Sequence, residues 1–188
     1  TVSEVNLQAV DEAAQKTLEL MRQGVETIYR GVLIHGRLVG EPDILERVEG
    51  ESKFGDYYYV ACDIKRSHHL KDEYRFQGAF YADLLQEVQG VRPVQGYVMR
   101  ADKTIEGYLI DEAYPDYRLT LDDIERVVDG EQPEPFLTSA AKNSPWFDDL
   151  YKAVKDCDHL SLINRIWRSE MGALNAVSIN TVTDLAEA

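Results

Sequence analysis

The sequence predicts an α/β fold followed by a short helical segment, and three observations carry that expectation. An amphipathic stretch opens the chain, β-branched and aromatic runs divided by glycine-containing turns follow it, and a long one-faced helical stretch then gives way to further strand-like runs.

Val5, Leu7, Val10, Ala14, Leu18 and Met21 recur at near-helical spacing with Gly24 beyond them, so a helix is expected from Ser3 to Gln23. From Thr27 the composition turns to strand formers. His35-Gly36-Arg37 is expected to be a turn, Leu38 to Val48 an extended run, Gly50 to Gly55 a second turn, and Tyr57 to Ile64 a strand, giving a three-strand meander. Between Asp72 and Gln89, Tyr74, Gln77, Tyr81, Leu84, Leu85 and Val88 share one helical face, and Gly90 stops the run. Val94 to Ala101 and Ile105 to Ile110 flank Asp102-Lys103 as another strand pair, and Leu121 to Val128 is expected as a short acidic helix. Gln132-Pro133-Glu134-Pro135 has linker composition, which divides the chain into a core over 1–136 and a helical segment over 137–188.

At 188 residues and 44% hydrophobic, the chain can bury one sizeable core. It lacks the roughly 18 uninterrupted apolar residues of a membrane span and a basic-then-apolar leader, so a cytoplasmic protein without a membrane partner is expected. Cys62 and Cys157 are too few and too far apart for a disulfide framework or a structural metal. The net charge of −14 opposes a simple nucleic-acid coating protein. Its distribution is uneven, however. Asp111 to Glu134 is strongly acidic, whereas Lys65, Arg66, Lys71 and Arg75 gather with His68 and His69 around one short segment.

If the runs ending at Val48 and beginning at Tyr57 form a hairpin centred on Lys53, Asp43 and Asp63 face each other, each ten residues from the turn centre. Opposed side chains on one face have Cβ atoms ~4.5–5.5 Å apart, where like charges repel. A divalent cation would relieve that repulsion, because Mg²⁺ accepts one or two carboxylates plus water and phosphate oxygens. Strand alternation puts Lys65 on the same face as Asp63 and sends Cys62 and Ile64 to the opposite, buried face. Two carboxylates and an ammonium so placed are the equipment for phosphodiester hydrolysis. Gln77 and Tyr81, one turn apart on the following helix, are expected to face the same site.

Gly40-Glu41-Pro42-Asp43, Asp63-Ile64-Lys65 and Gln77-Gly78-Ala79-Phe80-Tyr81 together resemble the ordered motifs G-x-x-D, D-x-K and Q-x-x-x-Y of the RecB-like branch of the PD-(D/E)XK nucleases. The resemblance covers about Gly24 to Gln89. It implies a restriction-endonuclease-like core with a mixed β-sheet flanked by helices, DNA as substrate, and Mg²⁺ or Mn²⁺ as cofactor. Asp43, Asp63 and Ile64 would form the metal site, Lys65 would be the catalytic lysine, and Gln77 and Tyr81 would line the centre. Pro42-Asp43 with Glu51-Ser52-Lys53 fits the letters of the superfamily name better, but Glu51 to Lys53 fall in the turn, where they cannot oppose Asp43. Members of the branch carry an earlier histidine or glutamate ligand. Here only Glu12 and Glu19 are candidates, and a first residue other than Met leaves room for a ligand upstream. The iron–sulfur cluster of several relatives needs four cysteines, so none is expected. Leu174 to Ala186 resembles half of a helix-hairpin-helix module without its hairpin glycines.

Simpler roles stand beside these. Asp43 and Asp63 could be solvated strand residues, and Gln77 and Tyr81 interior residues with satisfied polar tips. His68 and His69 are expected to be solvated or phosphate-facing, and His35 and His159 structural. A second functional expectation is a catalytically silent nuclease-like module that binds a protein or nucleic-acid partner.

Overall fold

The computed structural model describes residues 7–164 and 166–188. The chain divides into two compact units, one up to Glu125 and one from Arg126 to Ala188. In the first unit, α1 (Leu7–Arg22) is followed by β1 (Thr27–Tyr29), β2 (Leu33–His35), β3 (Leu38–Gly40), β4 (Ile44–Ser52) and β5 (Gly55–Ile64). Then come α2 (Asp72–Gln89), β6 (Gln95–Met99), β7 (Ile105–Leu109) and α3 (Tyr114–Val128), the last of which crosses the unit boundary. The expected start of α1 at Ser3 lies outside the described residues.

The unit is α/β, with a mixed five-stranded sheet in the order β1-β4-β5-β6-β7 and helices packed on it. Three of the four neighbouring pairs are antiparallel, and β5 and β6 are parallel. Parallel neighbours need a crossover, which α2 supplies. The expected meander is therefore corrected in two ways. β2 and β3 form a separate two-stranded hairpin, and the run from Leu38 to Val48 breaks at residues 41–43 between β3 and β4. Close packing accounts for the break: a Cβ at Gly40 would lie 2.6 Å from Leu84 and 3.1 Å from Tyr81, so the chain crosses directly over α2.

The β4–β5 register matches the Lys53-centred hairpin, with Ile44 opposite Cys62, Leu45 opposite Ala61 and Glu49 opposite Tyr57. An irregularity between Glu49 and Ser52 absorbs the tight turn. The expected turn over Gly50 to Gly55 is shorter than that: Glu51 and Ser52 still belong to β4, Gly55 opens β5, and Lys53-Phe54 make the turn, with Glu51 and Lys53 exposed at the end of the hairpin remote from Asp43.

α2 organises the core. Its Tyr81, Leu84 and Leu85 pack with Met21, Ile28, Leu33, Leu45, Tyr59 and Ala61. Its Ala79 and Ala82 pack with Val98, Tyr108, Ile110, Tyr117 and Leu121. The helix comes close to the sheet at Gly78, where a Cβ would sit 1.9 Å from the Tyr108 hydroxyl oxygen. That hydroxyl donates to the Tyr74 carbonyl at 3.2 Å and cannot simply swing aside. Gly78→Ala is expected to destabilise by about 1–3 kcal/mol, the usual cost of overpacking. Urea melts should show this, and adding Tyr108→Phe should recover part of the loss; a wild-type midpoint for Gly78→Ala alone would refute the close contact.

α3 starts seven residues earlier than the expected Leu121, at Tyr114. Pro115 is tolerated in that first turn, where its missing N–H has no helical partner to lose. The Asp83 carboxylate fastens the helix by accepting from the Tyr114 hydroxyl at 2.7 Å, the Tyr117 hydroxyl at 3.0 Å and Arg118 Nη1 at 3.2 Å. Burial raises the pKa of both phenols, so they remain donors.

The second unit holds α4 (Phe147–Asp156), α5 (Arg168–Asn175) and α6 (Val182–Glu187). Buried His159 is structural: its Nδ1 accepts from the Ser161 N–H at 3.1 Å, and its Nε2 lies 3.2 Å from Glu134. Thr181 and Asp184 cap α6 reciprocally. Among the described residues no helix is long and apolar enough to cross a membrane.

Candidate functional site

The hairpin, the end of β5 and the middle of α2 bring the five expected side chains together. Asp43 precedes β4 by one residue and Asp63 is the penultimate residue of β5, so continuing the Ile44–Cys62 pairing sets them opposite each other. Each carboxylate is tied to main chain of the opposing segment. Asp43 Oδ2 accepts from the Ile64 N–H at 2.7 Å, and Asp63 Oδ1 accepts from the Asp43 N–H at a longer 3.4 Å. The two acids are thereby held side by side by main-chain donors that offset part of their mutual repulsion.

Lys65 follows on the same face. Its Nζ lies 3.0 Å from Asp63 Oδ2 and donates to Gln77 Oε1 at 2.6 Å. Gln77 Nε2 in turn donates to the Tyr81 hydroxyl at 2.7 Å, and that hydroxyl donates to the Glu41 carbonyl at 3.4 Å. Burial, reinforced by the negative charge of Asp63, pushes the Tyr81 phenol up to about 12, so it stays protonated and fixes the direction of the chain. Because Tyr81 donates onward, it accepts from the Gln77 amide. The Gln77 carbonyl oxygen is then turned to the lysine ammonium.

The Lys65 ammonium also lies 5.2 Å from the centre of the Tyr74 ring, a cation–π contact that keeps the side chain folded back into the site. Asp63 is only 7% exposed although it is charged, which is rare unless a carboxylate is paired. The expectation that Cys62 and Ile64 share a buried face holds for Cys62, which is buried, and fails for Ile64, the last residue of β5, which is 48% exposed at the strand end.

The basic segment after Lys65 is less cationic than its composition suggests. Lys71 is paired with Glu73 and Arg75 with Glu112, while Lys65 is taken up by Asp63. Arg66 is exposed beside the site, and His68 and His69 are exposed as well. Glu12 and Glu19 lie on the exposed side of α1, and Lys16 and Gln15 engage Glu19.

Sequence reasoning missed Arg30 at this site. Its N–H donates to the Asp43 carbonyl at 2.9 Å, and its guanidinium binds Glu41. The signal was available in principle, since Arg30 follows directly on the strand that pairs with β4. Among the described residues, the hydrogen bond to the Asp43 carboxylate is made at Oδ2. No group of three His, Cys, Asp or Glu side chains is gathered for a metal among the described residues. The donor set is therefore two carboxylates with an ammonium close by. Compared with protein-family models and with curated proteins, the chain matches none.

Proposed function

We propose that the first unit is a metal-dependent nuclease domain with a restriction-endonuclease-like core, of the RecB-like PD-(D/E)XK type, that hydrolyses phosphodiester bonds of DNA. One observation carries this reading: Asp43, Asp63, Lys65, Gln77 and Tyr81, from three separate segments, form a single hydrogen-bonded constellation.

Asp43 and Asp63 would hold Mg²⁺ or Mn²⁺. Ile64 can add only its main-chain carbonyl. An all-oxygen set of two carboxylates suits these hard cations, which fill their remaining positions with water and phosphate oxygens. A divalent ion there supplies Lewis acidity and a water of lowered pKa. Lys65 places positive charge where negative charge develops on a phosphoryl oxygen, and Gln77 keeps its ammonium aimed at that spot. Tyr81, protonated through the working pH range, anchors Gln77 to the Glu41 carbonyl. Exposed Arg66, next to Lys65 in the chain, would offer a cation to the nucleic-acid backbone.

A second reading is favoured by the net charge of −14 and the two-carboxylate donor set: a silent module of the same fold that binds a partner. End-labelled single- and double-stranded DNA, incubated with the full chain in Mn²⁺, Mg²⁺ or EDTA, separates the two. Cleavage is expected with either ion and not in EDTA. Lys65→Ala is expected to slow it by about 10²–10³, the usual loss for one donor to a developing charge. DNA left intact under every condition would remove the nuclease reading and leave the silent module.

A further inference from the structure

Arg30 is the residue after β1, and it extends the β1–β4 pairing by one step to reach Asp43. Its φ of 51° lies in the left-handed region, which a non-glycine residue enters only at an energetic cost. This conformation lets its main chain hold the Asp43 carbonyl while its side chain turns to Glu41. There Nε and Nη2 both converge on a single oxygen, Glu41 Oε1, at 2.6 and 2.5 Å. A guanidinium fork is best matched by two oxygens, one for each nitrogen. The pair is also open to solvent, with Arg30 61% and Glu41 43% exposed, so the ion pair is weak and easily exchanged.

We propose that Arg30 is the phosphate clamp of this site, parked on Glu41 in the free protein and transferred to the non-bridging oxygens of a backbone phosphate when DNA binds. The proposal rests on the nuclease reading. It makes Glu41 a competitor of the substrate. Removing the arginine should therefore weaken DNA binding, whereas neutralising the glutamate should strengthen it.

Arg30→Ala and Glu41→Gln in the full chain test this by opposite signs. Anisotropy of a labelled DNA oligonucleotide in EDTA gives Kd and its salt dependence, and Mn²⁺-dependent hydrolysis gives KM and kcat. Arg30→Ala is expected to raise Kd and KM about tenfold, as loss of a charged hydrogen bond does. It should also lower the slope of log affinity against log salt by about 0.7–0.9, one phosphate contact. Glu41→Gln is expected to lower Kd and KM about threefold, the worth of an exposed ion pair. Thermal melts monitor folding, and Glu41→Gln keeps the sign test alive should Arg30→Ala unfold.

If the wild type hydrolyses DNA but the two variants shift KM in the same direction or not at all, Arg30 is structural and only this proposal falls. Loss of Mn²⁺-dependent hydrolysis in Glu41→Gln would make Glu41 a metal ligand and overturn it as well. A wild type that neither binds nor hydrolyses DNA overturns the nuclease reading and the clamp together.

Discussion

Asp63→Ala is expected to lower divalent-dependent DNA cleavage by on the order of 10³ or more, a loss of several kcal/mol of transition-state stabilisation. Asp63 stands at the intersection of the site's contacts. One of its oxygens receives the Asp43 N–H, and the other lies 3.0 Å from the Lys65 ammonium. Its removal takes away half of the carboxylate pair and leaves Lys65 held by Gln77 and the Tyr74 ring. Activity alone would not separate a lost ligand from a displaced lysine, so the decisive measurement is thermal. A cation that binds only the folded state raises Tm with its concentration. Mn²⁺ should therefore raise the Tm of the wild type and leave that of Asp63→Ala where it is in EDTA. Asp63→Asn, which keeps the volume and one acceptor, should behave like alanine in this titration. A Tm of Asp63→Ala that still climbs with Mn²⁺ would place the cation elsewhere.

The part of this arrangement that could be read from sequence is the hairpin. Gly50 to Gly55 has turn composition between two strand-forming runs, so the register followed from counting outward from Lys53, and the motif residues on α2 followed from helical spacing. What could not be read depends on contacts between segments distant in the chain. Ile64 has the composition of a buried strand residue, but it is the last residue of β5 and is exposed there, while Cys62 two positions earlier on the same face is buried. The run from Leu38 to Val48 has no local breaker except Gly40 and Pro42. It divides because β3 pairs with β2, and because Gly40 passes Leu84 and Tyr81 too closely for any side chain. Likewise Lys71 and Arg75 gave the post-Lys65 segment a cationic look, whereas Glu73 and Glu112 are positioned to cancel them. The role of Arg30 depends on a left-handed backbone angle that an arginine does not announce.

Gln89 is the clearest case of such a hidden contact, and replacing it is expected to have the largest effect on stability. It is the last residue of α2 and wholly buried, an unusual place for an amide. Its Oε1 accepts from the Tyr59 N–H at 2.8 Å, while its Nε2 donates to the Tyr59 carbonyl at 3.0 Å and the Val91 carbonyl at 3.1 Å. β5 pairs with β6 only from Cys62 to Ile64, so at Tyr59 the strand's outward main-chain groups have no neighbouring strand. The glutamine side chain substitutes for one, offering the donor and acceptor that a backbone amide would. Gln89→Leu fills the space but strands a buried N–H and two carbonyls, each at about 1–3 kcal/mol, so a loss of at least about 3 kcal/mol is expected. That corresponds to a Tm lower by about 10 °C or more for a unit of this size. Gln89 lies twelve residues beyond Gln77, roughly 18 Å along the helix. Hydrolysis measured well below the melt should therefore remain close to wild type, which separates this scaffold contact from the reacting groups. Amide hydrogen exchange supplies the residue-level check, because Tyr59 N–H should lose protection before its neighbours paired with β4. If Gln89→Leu melts like the wild type with Tyr59 still protected, the amide bridge is not what closes this edge of the strand.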